Sequence, residues 1–409
     1  MKIHRPLVNG VLPALQKIFE EGAYADKVVE QLLKQNLKWG SRDRKFIAGT
    51  IYEMVRWWRL INECCRLSTG TEQPSYIHLF ATWQILKGVD LPDWEEFSGI
   101  DKEQILKNAE QVKSIRKYRE SIPDWLDDIA SKELGEEVWE KEAHELNKEA
   151  QVVLRVNTLK TSPEELQKKL LAQGVEVENL SNAFPLWREM KKGALVLLKR
   201  QNLEKLNEYK QGWFEVQDAS SQLIAPFLKV KEGMTVIDAC AGAGGKSLHI
   251  AAMMNNKGKI IAMDVENKKL VELKRRADRA GVSIIKTRVV NSEAISELKN
   301  SADRLLLDVP CSGLGVLRRN PDAKWKLSLE FIEQIKITQQ EIISTYSHML
   351  KPGGIMVYAT CSILPGENQY QVQEFLKKNG NDFKLLDEVK VLPSMGFDGF
   401  YMAALEKKI

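Results

Sequence analysis

Apolar positions change their spacing twice along the chain. Up to about residue 150 they recur at helical intervals: Val28-Val29, Leu32-Leu33 and Leu37, then Phe46-Ile47, Ile51, Met54-Val55 and Trp58. Ser41 stands where an N-cap belongs, and Arg42, Arg44, Lys45, Arg56 and Arg59 decorate the second stripe, which runs from Asp43 to Arg66. Gly70-Thr71-Glu72-Gln73-Pro74 interrupts the pattern. Helices resume after Pro92, one of them predicted over 123–150 on the stripe Trp125, Leu126, Ile129, Leu134, Val138 and Leu146. Residues 1–150 thus read as an all-α domain.

At Val152 the period shortens. Val152–Val156, Val175–Val177 and Ala194–Leu197 read as strands, with a helix opening at Ser162-Pro163-Glu164-Glu165, which predicts a small α+β connector over 151–229. From Gly233 apolar runs alternate with helical stretches. Candidate strands are Thr235–Ala239, Lys259–Met263, Ser283–Thr287, Arg304–Asp308, Gly354–Ala359 and Lys384–Leu386. Strands separated by helices imply right-handed crossovers and a parallel sheet, so 230–409 is expected to be a multi-stranded α/β domain.

Composition narrows the class. The 409 residues are 44% hydrophobic and 28% charged, which excludes a largely disordered chain or a disulfide scaffold. No run approaches the length of a membrane span, and the stretch after Arg5 is broken by Asn9, Gly10 and Pro13, so neither membrane association nor a secretory leader is expected. Five cysteines, an odd number, suit reduced thiols in the cytoplasm. Scattered histidines give no zinc spacing, and no metal is expected. The formal charge of +4 is uneven: residues 1–66 carry twelve Lys/Arg against seven Asp/Glu, and residues 67–150 carry ten against nineteen. That pattern fits either solvated helix faces or basic surfaces for a nucleic acid.

The string Val236-Ile237-Asp238-Ala239-Cys240-Ala241-Gly242-Ala243-Gly244-Gly245-Lys246-Ser247 leads from a strand through a Gly-rich turn into a helix. Backbone amides there can meet polar ligand groups. Asp264 closes the next strand, where a carboxylate can accept the ribose hydroxyls of a nucleoside cofactor. Gly245-Lys246-Ser247 resembles the end of a phosphate-binding P-loop, but Cys240 occupies the position of that motif's first glycine. S-adenosylmethionine needs no pyrophosphate cradle and is the preferred cofactor. An ATPase is disfavoured.

Two thiols follow consecutive candidate strands, Cys311 in Asp308-Val309-Pro310-Cys311-Ser312-Gly313 and Cys361 in Thr360-Cys361-Ser362. In a parallel sheet both would reach the crevice at the strands' carboxyl ends. Each alone could be a small buried hydrophobe. Together with an acid they suit one chemistry. Carbon 5 of cytosine attacks a methyl sulfonium poorly until a thiolate adds at carbon 6 and makes the ring an enamine. A carboxyl group such as Asp308 can bind the ring nitrogen during that addition, and a second thiol can assist release.

The strings DACAGAGGKS, LLLDVPCSGLGVLRRNPDAKW and YATCSILPGENQ, with LRVNT at Leu154–Thr158, QDASSQ at Gln217–Gln222 and the later DGFYMA, resemble the RNA cytosine-carbon-5 methyltransferases of the Sun/Fmu (RsmB-like) family. Residues 1–130 are similar to the helical NusB-type RNA-binding domain of RsmB-like members, through their helical pattern, Arg42-Asp43-Arg44 and Val55-Arg56. The resemblance implies a class I methyltransferase domain, Rossmann-like, with a seven-stranded and mostly parallel sheet. It implies Cys361 as nucleophile, Cys311 as the product-releasing thiol, Asp308 as the carboxylate holding the base and Lys246 beside that base. S-adenosylmethionine would then be held by Cys240, Ala241, Gly242, Ala243, Gly244, Gly245, Lys246, Asp264, Asn291 and Asp308. Relatives commonly have proline at Ala243 and aspartate at Asn291.

Arg318, Arg319, Lys324 and Trp325, just past Cys311, combine basic groups with an aromatic and are expected to contact RNA around an extruded nucleotide. The same residues also fit a surface loop with a buried Trp. The resemblance to RsmB-like members implies small-subunit ribosomal RNA as the favoured substrate, with transfer RNA next, and a monomer is expected. The rival from another class is a non-catalytic ribosome-assembly factor that binds RNA.

Overall fold

The computed structural model describes residues 3–183 and 193–409. The chain forms two compact units, one of residues up to Lys148 together with Leu317–Leu329, the other of Glu149–Val316 together with Glu330–Ile409. Among the described residues no helix is long and apolar enough to cross a membrane, and no cluster of His, Cys, Asp and Glu could hold a metal ion.

The first unit is helical. Helices Arg5–Phe19, Ser41–Arg56, Trp58–Thr69 and Tyr76–Leu86 bury Leu15, Ile47, Ile51, Met54, Ile61 and Phe80 in one core. The single stripe expected from Asp43 to Arg66 is two helices, because Trp57 leaves helical geometry at φ −102°, ψ 21°. The cap is Gly40 rather than Ser41. The Asp43 carboxylate reaches back to accept the Gly40 N–H at 3.1 Å, which draws Ser41 into the first turn. The helix expected over 123–150 is also divided, into Asp124–Leu134 and Glu136–Leu146, at Gly135 with φ +86°. Cys64 and Cys65 are interior groups here, and burial pushes the Cys64 thiol up to about 12.

The second unit holds two sheets. Strands β1 (Val152–Val156), β2 (Val177–Asn179), β3 (Ala194–Leu197) and β4 (Phe214–Val216) form an antiparallel sheet in the order β2-β3-β1-β4. Ser162 caps the helix Pro163–Ala172 by accepting the Glu165 N–H at 3.1 Å. Side chains alternate across this sheet. Leu154, Val156, Leu195 and Leu197 pack with Leu166 and Leu170, whereas Val153, Ala194 and Val196 share a core with Val236, Leu248 and Phe397. Burial on both faces joins the segment read as a separate connector to the unit that carries the larger sheet.

That larger sheet has seven strands: β5 (Thr235–Asp238), β6 (Lys259–Asp264), β7 (Ile285–Val289), β8 (Ala302–Asp308), β9 (Leu350–Thr360), β10 (Phe383–Val391) and β11 (Phe400–Lys407), in the order β10-β11-β9-β8-β5-β6-β7. Strands β5 to β9 are parallel, and β11 pairs antiparallel with β9 and β10. Strand β5 lies between β6 and β8, so the order reverses there. Such a switch point opens a crevice beyond the strands' carboxyl ends. Asp238, Asp264, Asp308 and Thr360 are the last residues of four of these strands.

Candidate active site

The Gly-rich loop joins β5 to the helix Gly245–Met253. Gly244 has φ +84°, and a Cβ there would lie 2.4 Å from the Leu273 Cγ, so only glycine lets the loop close on the helix Asn267–Ala280. The loop is held by arginines that the sequence reading did not single out. Arg276 donates to the Ala243 carbonyl at 2.8 Å and to Glu215 at 2.8 Å, and Arg155 donates to the Gly245 carbonyl. Arg276 therefore fixes the backbone at Ala243.

Asp264 is buried and uses one oxygen for the Gly242 N–H at 2.9 Å and the other for the Glu266 N–H at 2.8 Å, with a lone pair left on each. Asp238, at the mouth of the loop, accepts the Ser247 hydroxyl at 2.6 Å through Oδ2, while its buried Oδ1 has no partner. Burial pushes the Asp238 carboxyl up to about 7. An orphaned buried acceptor, a carboxylate with spare lone pairs and a loop that only glycine permits fit an amine- and hydroxyl-bearing group such as S-adenosylmethionine. The Cys240 thiol is held well above its usual range, chiefly by burial, so it stays protonated. Asn291 is exposed beyond β7, and its Oδ1 accepts the Ala294 N–H at 2.7 Å as the cap of the helix Ser292–Glu297. Only its Nδ2 remains to donate to a ligand.

Pairing of β8 with β9 brings the two thiols together. Cys361 directly follows β9, Cys311 follows β8, and their sulfurs are 3.3 Å apart. The Cys311 thiol is pushed well above its usual range, first by its hydrogen bond to Cys361 and then by burial. Either sulfur can donate to the other at this distance. Lys246, in the first turn of its helix, places Nζ 2.5 Å from the Asp308 Oδ2 and 5.4 Å from the centre of the Phe400 ring. Burial alone would lower the lysine, but the Asp308 carboxylate outweighs it and leaves Lys246 raised, with the Cys361 charge acting in the same direction. The structure thus gathers two sulfurs, an ammonium and a carboxylate at adjoining strand ends.

The segment expected to contact RNA is largely tied up in hydrogen bonds of its own unit. Leu317–Leu329 belongs to the helical unit, and its Arg318, Asp322 and Lys324 are buried. Arg318 is buried and donates to the Glu145 carbonyl at 2.7 Å and to the Glu145 carboxylate at 3.0 Å. Lys324 is 3% exposed, has Asn147 Oδ1 at 3.3 Å, and is held well below the usual lysine value by burial. Trp325 donates its indole N–H to the Val55 carbonyl at 2.7 Å, and Asp322 accepts the Ala25 N–H at 3.0 Å. Arg318, Lys324 and Trp325 are corrected from RNA-facing groups to internal ties. Arg319 is half-buried.

Comparison with known proteins agrees with this geometry. The family model described as 16S rRNA methyltransferase RsmB/F matches residues 225–406, and the ferredoxin-like domain of the RsmF/B-like methyltransferases matches residues 122–185. A protein of Bacillus subtilis named probable ribosomal RNA small subunit methyltransferase B is 32% identical over 70% of this chain and 67% of its own length. A protein of the same name from Synechocystis is 28% identical over 89% of this chain and 87% of its own. The crystal structure of NSun6 from Pyrococcus horikoshii with SFG superposes with a TM-score of 0.61 at 25% identity, covering 71% of this chain and 99% of that one. The chain accordingly belongs to the RsmB/F methyltransferase family and is an S-adenosylmethionine-dependent RNA methyltransferase.

Proposed function

We propose that the protein methylates carbon 5 of a cytosine in RNA, small-subunit ribosomal RNA ahead of transfer RNA, through a covalent bond between Cys361 and the base. The observation that carries this reading is the pair of sulfurs 3.3 Å apart beside the Lys246–Asp308 ion pair. A methyltransferase acting on an already nucleophilic atom needs neither thiol, and neither does a factor that only binds RNA. The relatives named ribosomal RNA small subunit methyltransferase B support the choice of RNA.

When bound, S-adenosylmethionine supplies an electrophilic methyl group, and Cys240–Lys246, Asp238 and Asp264 are the residues that would hold it. The protein's own groups prepare the base. Cys361 adds through sulfur to carbon 6, and the electron pair displaced from the 5,6 double bond makes carbon 5 nucleophilic. Asp308 and Lys246 offer an acceptor and a donor to the base's amino group and ring acceptors, which orients it and draws charge from the ring during addition. Once Cys361 carries the base, the sulfur–sulfur hydrogen bond is broken and Cys311 is left beside the adduct. Cys311 gives its own proton to solvent, and the resulting thiolate takes the proton from carbon 5. The carbon 6–sulfur bond breaks, its electrons return to Cys361, and the aromatic ring is restored.

The test is incubation of the protein with methyl-labelled S-adenosylmethionine and unmodified ribosomal or transfer RNA, followed by digestion to nucleosides. Label in 5-methylcytidine from ribosomal RNA is the expected result. Label confined to transfer RNA would overturn the substrate, and label in another nucleoside would overturn the chemistry.

A further inference from the structure

Each catalytic cysteine is followed by a serine, and both serines end on one side chain. Glu367 is completely buried in the short turn Pro365–Glu367 after β9. Its Oε1 accepts the Ser312 and Ser362 hydroxyls, each at 2.5 Å, and its Oε2 accepts the Ser312 N–H at 2.7 Å and the Gln339 amide at 3.2 Å. Gln339 also donates to the Pro310 carbonyl at 3.0 Å, so the Cys311 loop is gripped on both sides of the thiol. On the other loop, the Cys361 carbonyl accepts the Gly315 N–H at 2.9 Å, and Asn368 donates to the Ser362 carbonyl at 3.0 Å.

The donors to the Glu367 carboxyl are Ser312, Ser362 and Gln339, none of them a cation. A buried carboxyl without a cation is costly and is kept by its four donors alone. An apolar contact would join two loops more cheaply but would not fix direction. Hydrogen bonds from both cysteine loops to one rigid carboxyl plane fix the loops' separation and their rotation together.

We infer that Glu367 is a positioning residue that sets Cys311 and Cys361 at their working separation by clamping the loops of both thiols onto one carboxyl group. The inference rests on the reading of these two cysteines as the reacting pair, but its test does not require RNA or cofactor.

Ellman's reagent applied to the full chain reads the separation directly. One thiolate of the pair attacks the reagent's disulfide and releases one thionitrobenzoate. The second thiolate then attacks the protein-bound sulfur, releases another and leaves a Cys311–Cys361 disulfide, located by peptide mass spectrometry, with both thiol protons lost to solvent. Wild-type protein should close this disulfide rapidly. Glu367→Ala removes all four acceptor contacts and should slow closure ~100-fold, the scale of loss for reacting groups displaced by about 1 Å. Glu367→Gln can satisfy the same neighbours if the serine hydroxyls rotate to accept from its amide, and should stay within roughly threefold of wild type. Cofactor affinity should be unchanged in both. Should Glu367→Ala not fold, the double variant Ser312→Ala/Ser362→Ala decides, with closure slowed ~10-fold. Wild-type closure in folded Glu367→Ala, or in the double serine variant, overturns the inference. Failure of the cytosine reading shows separately, as missing 5-methylcytidine in a wild-type protein that closes its disulfide normally.

Discussion

Replacement of Arg318 by alanine separates two readings of the segment that follows Cys311. If the guanidinium contacts RNA, its loss weakens binding, lowers the salt slope by about one phosphate contact and leaves the free protein's stability alone. The structure requires the opposite. Arg318 is 4% exposed as a side chain, donates to the Glu145 carbonyl at 2.7 Å and pairs with the Glu145 carboxylate, itself 18% exposed, at 3.0 Å. Removing one partner of a buried ion pair costs about 3 to 5 kcal/mol. Lys148, at 2.6 Å, still neutralises Glu145 and trims that figure, while the orphaned carbonyl adds back about 1 kcal/mol. A net loss of about 3 kcal/mol corresponds to a fall of roughly 6 to 12 °C in the melting temperature of a unit this size. The assay is thermal unfolding of the full chain followed by far-ultraviolet circular dichroism, beside RNA affinity measured across a salt series. An unchanged melting temperature with a reduced salt slope would refute the burial argument and return Arg318 to the RNA.

Three further outcomes follow from the site. Cys311→Ala should accumulate an RNA–protein adduct that survives a denaturing gel, and Cys361→Ala should form none; the reverse pattern exchanges the roles of the two thiols. Asp238→Asn should flatten one part of the pH–stability curve. The Asp238 carboxyl is raised to about 7 in the folded chain, so its contribution is full below the ordinary 3.8 and is lost as pH climbs through 7. Unfolding free energies of cofactor-free protein from urea titrations at pH 5 and pH 8 should therefore diverge more in wild type than in the variant, by about 2 to 3 kcal/mol, and parallel curves would count against the shift. Gly244→Ala forces a positive φ on alanine and drives Cβ to 2.4 Å from the Leu273 Cγ. It should cost about 2 to 4 kcal/mol of stability and most of the cofactor affinity, read by denaturation and by calorimetric titration.

What the sequence discloses depends on how far each feature reaches along the chain. Strands β5, β6 and β8 are legible because each is a short apolar run ending in an aspartate, a pattern complete within a few residues. The loop after β5 is legible for the same reason. Strand β11 was recognisable only as a family string. Its apolar run Phe400–Leu405 does not alternate, since successive side chains on both faces of the sheet are buried. The misreading of Arg318, Lys324 and Trp325 has the same origin. Basic groups beside an aromatic describe an RNA contact and an internal tie equally well, and the choice is made by Glu145, Asn147 and Val55, which composition does not connect to them.

Glu367 is the sharper case. Its local signal was present, a Cys-Ser pair repeated after consecutive strands, but a serine after a cysteine says nothing about its acceptor. Parallel pairing of β8 and β9 turns the two serines to one carboxyl group. The same pairing sets the sulfurs 3.3 Å apart. One structural fact thus governs both the chemistry and its support, so a substitution that shifts β8 against β9 should lose thiol closure and methyl transfer together, while one confined to the cofactor loop should lose only the latter.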